Sequence, residues 1–239
     1  MRQQFVSKLV SVMTATTVVA WMSLVAVPSA QLIAVPSAQL VAVSSGQRSD
    51  TEGIKETESF VKAGTDTSSA VSQGKMQVQK TLDAYNTLVT QPSKDMKGDY
   101  KKLLAAAKDT DQKVDDARER VTSMEAAGNT YFTGRAATIK DIQNAELRDQ
   151  AQLRLDENQK DYAAILESIR EAGQSLHTLR TDLDSQITYL GSDLTASAMT
   201  SLKPQAQKLN DRGAQVLAKT DQAIAATNKY FDSMRPTKA

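Results

Sequence analysis

The chain has no cysteine, one histidine and few aromatic residues, and no charge of either sign dominates it. Without thiols there are no disulfides, no thiolate zinc or iron–sulfur sites and no cysteine nucleophile. The single histidine, His177, rules out paired-histidine metal sites and makes a Ser-His-Asp triad a poor fit. Aromatics are 5% of the residues, and 29 basic residues face 28 acidic ones. That balance lacks the basic stripe of a nucleic-acid binder, so no nucleic-acid partner is expected. Proline is scarce too, with five in 239 residues.

The first 47 residues carry only two charges, Arg2 and Lys8, so the remainder holds 27 basic and 28 acidic residues. Leu9–Gln47 is uncharged, and its most apolar part is VVAWMSLVAV at 18–27. Pro28, Ser29 and Ala30 follow. A basic start, an apolar centre and a small-residue end are the layout of a secretory signal peptide. The expectation is a signal peptide over 1–30, with cleavage as late as residue 38. An AVPSAQL repeat at 26–32 and 34–40 offers that second site and leaves a low-complexity linker over 31–51. The alternative is an inner-membrane anchor through uncleaved residues 9–27, a length near the ~20 residues that span a bilayer. Ser11, Thr14, Thr16, Thr17 and Ser23 dilute that stretch. An exported, periplasmic protein is the expectation, and in that compartment a chain without cysteine must rely on packing.

Beyond residue 51 the apolar residues recur three and four apart, with no sustained alternation and no Asn-Gly or Asp-Gly hairpin signal. The pattern predicts an all-α fold, an elongated up-down-up-down four-helix bundle over 52–236 with coiled-coil-like packing. Its helices are expected at about 52–90, 94–142, 145–190 and 196–234. In the first, Val71, Val78, Leu82, Tyr85 and Val89 form the stripe. Residues 48–59 read as polar and frayed, and the stretch before Val71 as ragged. Pro92 ends this helix, because proline biases its predecessor away from helical geometry.

The second helix carries Tyr100, Leu103, Ala107, Thr110, Val114, Ala117, Val121, Met124, Gly128 and Tyr131 at heptad spacing, with a kink expected near Gly128 and Gly134. The third repeats Leu155, Tyr162, Ile169, Leu176, Leu183 and Leu190, widened by Ile165, Leu166, Leu179 and Ile187. Asn144 is its expected cap. Thr195 is the expected cap of the fourth, whose seam runs Leu202, Ala206, Leu209, Gly213, Val216, Thr220, Ala223, Thr227, Tyr230. Pro204 marks a kink or a later start of that helix. Short loops make consecutive helices antiparallel neighbours. Polar seam residues such as Thr110, Asn158, Thr220 and Thr227 reduce burial but fix register.

AAGNTYF at 126–132 echoes AATNKYF at 225–231. In this topology Tyr131, Phe132, Tyr230 and Phe231 fall toward one end. They read first as core at the end of the bundle, and in the sharper reading as an aromatic end that binds something.

No catalytic constellation emerges. Carboxylate-bridged metal bundles need Glu-x-x-His pairs, and His177 is preceded three residues earlier by Gln174. Counting an EF-hand loop from Asp109 puts Val114 where glycine is needed and Arg120 where glutamate is needed. The acidic residues near Asp109, Asp111, Asp115 and Asp116 instead suit helix-surface pairs, with Asp116–Arg120 and Asp156–Lys160 at the right spacing. Ser72-Gln73-Gly74-Lys75 is a Ser-x-x-Lys string without its companion motifs.

The stretch Ile187–Met199 with Leu202-Lys203, the stretch Gln143–Arg148 and the stretch Val114–Val121 together resemble a family of exported, coiled-coil-rich bacterial proteins of unknown function. The resemblance covers roughly residues 60–232. It implies a helical layout and carries no catalytic or ligand residue. The expectations are therefore a non-enzymatic envelope interaction or structural protein with no cofactor. An envelope protein, a cell-wall component or a second copy of the chain would be its partner, and no membrane-embedded part is expected once the signal is removed. The alternative is a ligand-binding or sensory bundle with a small-molecule site near Tyr131 and Tyr230. A hydrolase comes third, since no nucleophile stands beside a base.

Overall fold

Four helices follow one another through short loops in the computed structural model, which describes residues 50–235. α1 spans Asp50–Thr90, α2 Met96–Lys140, α3 Ala145–Ser192 and α4 Ala196–Ser233. Among the described residues there is no strand, and no helix is long and apolar enough to cross a membrane. The signal-peptide, anchor, cleavage and repeat expectations lie outside the described residues.

The caps show why the helices start where they do. The Asp95 carboxylate accepts from the Gly98 N–H at 2.9 Å. Asn144 accepts from Leu147 N–H at 3.1 Å and Thr195 from Ala198 N–H at 3.2 Å, as the sequence suggested. Each satisfies one of the amides that a helix leaves unpaired in its first turn. α1 stops at Thr90, two residues before Pro92. Helices of 38 to 48 residues are about 57–72 Å long at 1.5 Å per residue.

The bundle is closed in the order α1–α2–α3–α4, each helix packing on two neighbours. α1 and α2 approach each other along most of their length, whereas α2 and α3 meet least. Small residues permit the close α1–α2 pairing. The Thr81 hydroxyl reaches the Ala106 carbonyl at 2.9 Å and the Thr110 hydroxyl at 2.8 Å, and the Thr67 hydroxyl reaches the Arg120 carbonyl at 2.9 Å. A side chain as short as threonine touches another helix's backbone only when the axes are near.

Two hydrophobic clusters fill the interior. One joins Val78, Leu82, Tyr85, Leu88, Leu103, Leu179, Leu183, Leu190, Met199, Leu202 and Leu209, around the α1–α2 and α3–α4 loops. The other gathers Phe60, Met124, Tyr131, Phe132, Ile139, Leu155, Tyr162, Ile165, Tyr230 and Phe231, around the α2–α3 loop. The waist between them is lined by small and polar residues: Thr67, Gly74, Thr110, Ala172, Thr220 and Ala223 are all buried there.

Three local readings change. Residues 50–70 are neither frayed nor ragged but continuous helix, because Phe60 and Thr67 are fully buried against other helices. Packing outweighs the weak propensity of GTDTSS. α2 continues through Gly128 and Gly134 without ending there, as the sequence suggested. Gly128 makes room for α3, since a Cβ there would sit 3.0 Å from the Tyr162 ring. α4 starts at Ala196 and passes through Pro204, so the proline does not delay the helix. Asp116 takes Lys113 at 3.0 Å in place of Arg120, and Asp156 accepts from Gln152 at 2.7 Å in place of Lys160.

Candidate functional site

The two Tyr-Phe echoes come together, but around a residue the sequence reading passed over. Phe60 of α1 is fully buried, and its ring contacts all five aromatics of the cluster. It stacks on Tyr131 with centroids 5.1 Å apart and 27° between planes. It meets Phe132 at 5.7 Å, Tyr162 at 5.1 Å, Tyr230 at 6.2 Å and Phe231 at 4.9 Å, all edge-on. Six of the nine aromatics beyond residue 47 thus occupy one packed unit. Edge-on and offset rings are the favoured arrangements of aromatic quadrupoles.

Tyr131, Phe132, Tyr230 and Phe231 are buried in this unit. Its hydroxyls are directed to neighbours. Tyr162 donates to the Met124 carbonyl at 3.1 Å, Tyr230 to the Asn158 carbonyl at 3.4 Å, and Tyr131 accepts from the Asn158 amide at 3.4 Å. Burial raises the Tyr162 and Tyr230 phenol pKa values well above the ordinary range, and the nearby Glu125 and Asp161 carboxylates add to the rise. Both phenols therefore stay neutral donors across physiological pH. The Arg135 guanidinium sits 5.6 Å from the centre of the Tyr131 ring, within cation–π range.

Beside this unit runs an open cleft of about 760 Å³ along the first half of α1. Val61, Ile54 and Met234 give it apolar walls. Lys62, Arg135 and Arg235 line it together with Glu56, Glu58 and Asp66. Lys62 and Asp66 pair at 2.5 Å, and Arg235 donates to the Thr65 hydroxyl at 3.3 Å. Neither Tyr131 nor Tyr230 lines the cleft.

Several of the remaining chemistry-bearing groups have structural partners. Lys75 of the Ser-x-x-Lys string binds the Asp221 carboxylate at 2.5 and 2.7 Å, tying α1 to α4. In the acidic stretch of α2, Asp111 pairs with Arg180, Asp115 with Arg118 at 2.7 Å and Asp116 with Lys113. His177 lies exposed on α3. Among the described residues, no three His, Asp or Glu side chains are grouped so as to hold a metal ion. At the other end of the bundle Tyr85 donates to Gln186, Tyr100 donates to the Ile187 carbonyl at 3.2 Å, and Asn86 and Asn210 exchange two amide hydrogen bonds.

A family model described as "Protein of unknown function (DUF2959)" matches residues 47–234. The chain belongs to this family. The matched span contains all four helices of the bundle. No curated protein and no solved structure was found to match it. Phe60 was missed because only Val61 accompanies it in a polar stretch. The signal that finds it is spacing: residues 60, 64, 67, 71, 74, 78, 81, 85 and 88 continue one 4-3 repeat, with Gly64, Thr67, Gly74 and Thr81 in seam places.

Proposed function

We propose that this member of the family is a non-enzymatic interaction or structural protein of the bacterial envelope, exported by its first thirty residues. One observation carries the reading: the aromatic end, the most distinctive chemistry of the chain, is packed around Phe60, with the Tyr131, Tyr162 and Tyr230 hydroxyls directed to protein partners. What the bundle offers a partner is its long polar outer surface, where ion pairs such as Lys113–Asp116 and Arg170–Glu167 lie exposed. The partner fitting that surface is another envelope protein, a wall component or a second copy of the chain.

Photo-crosslinking from exposed positions tests this. A crosslinker at Met76 or Leu153, both more than half exposed, is expected to give a discrete, saturable adduct in an envelope fraction. Diffuse labelling at both positions would count against the reading.

The cleft beside Val61 and Met234 supports a second reading, a bundle that binds a small molecule at this end. Its volume falls in the range of ligand pockets. A small molecule from the same fraction that raises the melting temperature, with no protein adduct, would favour it.

A further inference from the structure

The waist of the bundle is covered unequally. At this level α1 and α4 bury Thr67, Gly74, Thr220 and Ala223, whereas α3 buries only Ala172, and Val114, Ala117 and Val121 of α2 and Ile169 and Leu176 of α3 remain half-buried. The same two helices approach each other least of the four neighbouring pairs. Their polar ties flank the waist. On one side the Arg180 guanidinium grips Asp111 and also donates to Asp184 at 3.0 Å, with Tyr100 bound to Ile187 beyond it. On the other side Tyr162 donates to the Met124 carbonyl. A narrow apolar crevice lined by Thr110, Leu176, Leu179 and Arg180 runs inward beside the clamp as far as Val78 and Leu82.

We propose that the α2–α3 seam is a built-in opening. Residues of roughly 112–123 and 167–178 separate while the clusters on either side stay packed, and the Arg180–Asp111 ion pair is the latch. The reasoning is energetic. Long helices in water owe most of their stability to tertiary cover, and at the waist these two stretches bury fewer residues than the facing stretches of α1 and α4. Local openings draw on regions with few buried apolar contacts. The latch is itself half in solvent, with Arg180 25% and Asp111 49% exposed, so it is weak enough to release.

Hydrogen exchange of the full chain, read by mass spectrometry, tests the seam without any partner, so its outcome is separate from the proposed function. Peptides from 112–123 and 167–178 are expected to exchange about 10-fold faster or more than peptides from 67–78 and 216–227 at the same level of α1 and α4. Asp111→Asn, which leaves Arg180 its bond to Asp184, is expected to speed exchange further in the first two segments only. Salt near 1 M, where the Debye length falls to about 3 Å, is expected to do the same in the unmodified chain. Equal protection of the four segments would overturn the proposal. So would an Asp111→Asn or salt effect spread evenly over all four helices.

Discussion

The Phe231 ring of α4 lies edge-on to Phe60 of α1, 4.9 Å between centroids, directly over the bare Cα of Gly64. A Cβ at residue 64 would overlap that ring. The two helices meet at this end because glycine occupies the position, and the aromatic unit closes as a consequence. Gly64→Ala is therefore expected to destabilise the bundle by about 1–3 kcal/mol through overpacking, even though alanine is the better helix former. Phe60→Ala is expected to cost more, about 3–5 kcal/mol. Urea denaturation followed by circular dichroism measures both. A stabilised Gly64→Ala variant would mean the ring does not sit there.

Asn86 and Asn210 bind each other through two amide hydrogen bonds, at 2.8 and 3.0 Å, and so fix the register of α1 against α4. Replacing either with alanine strands its partner, at a cost of about 1–3 kcal/mol. Replacing both is expected to cost less than the sum of the two single changes. A double-mutant cycle measures this coupling, and strict additivity would refute the pairing.

The buried phenols set the alkaline limit of stability. Burial raises Tyr85 to about 12, and raises Tyr100, Tyr162 and Tyr230 as well. In the unfolded chain tyrosine ionises near pH 10, so the unfolded state loses protons first. Stability is thus complete below about pH 10 and falls as pH rises through about 12, by up to about 1.4 kcal/mol per pH unit for Tyr85. Tyr85→Phe is expected to make the alkaline limb shallower. Asp99 works in the opposite sense. Bonds from Ser93 and Lys102 lower its pKa, so its contribution is present above the ordinary carboxylate range and is lost as pH falls through the lowered value. Denaturation midpoints across pH 2–12 check both limbs.

Trp21 is the single tryptophan, and it lies within the predicted signal peptide. Removal of residues 1–30 predicts that protein purified from the periplasm shows tyrosine emission alone. Indole emission from that protein would show that residue 21 stays attached.

The legible parts of the fold were the seams made of large apolar residues. The Leu155-to-Leu190 repeat could be placed because leucine, isoleucine or tyrosine marks every other turn, and the Leu202-to-Tyr230 repeat because Leu202, Leu209, Val216 and Tyr230 keep one spacing with small residues between them. The caps Asn144 and Thr195 were legible because their side chains act locally. The first half of α1 was not, since its seam is written in Gly64, Thr67, Gly74 and Thr81, residues whose composition suggests a loop. Their burial is decided by what α2 and α4 bring to them: the Arg120 carbonyl for Thr67, the Phe231 ring for Gly64. The pairing of charges was equally hidden. Spacing on one helix suggested Asp116–Arg120, but partners on other helices, such as Asp111 with Arg180, depend on rotation about the bundle axis. At the aromatic end the echo placed four rings correctly at one end, and Phe60 at their centre waited on the fold.

The most direct test of the account compares partner capture by the unmodified chain with capture by Tyr131→Phe and Tyr230→Phe, which keep the rings and remove hydroxyls that bond only within the protein. If the outer surface is what the partner reads, all three give the same adduct in the same yield from a crosslinker at Leu153. Loss of the adduct in the phenylalanine variants, together with loss of a small molecule's stabilising effect, would contradict it and put the function inside the aromatic end.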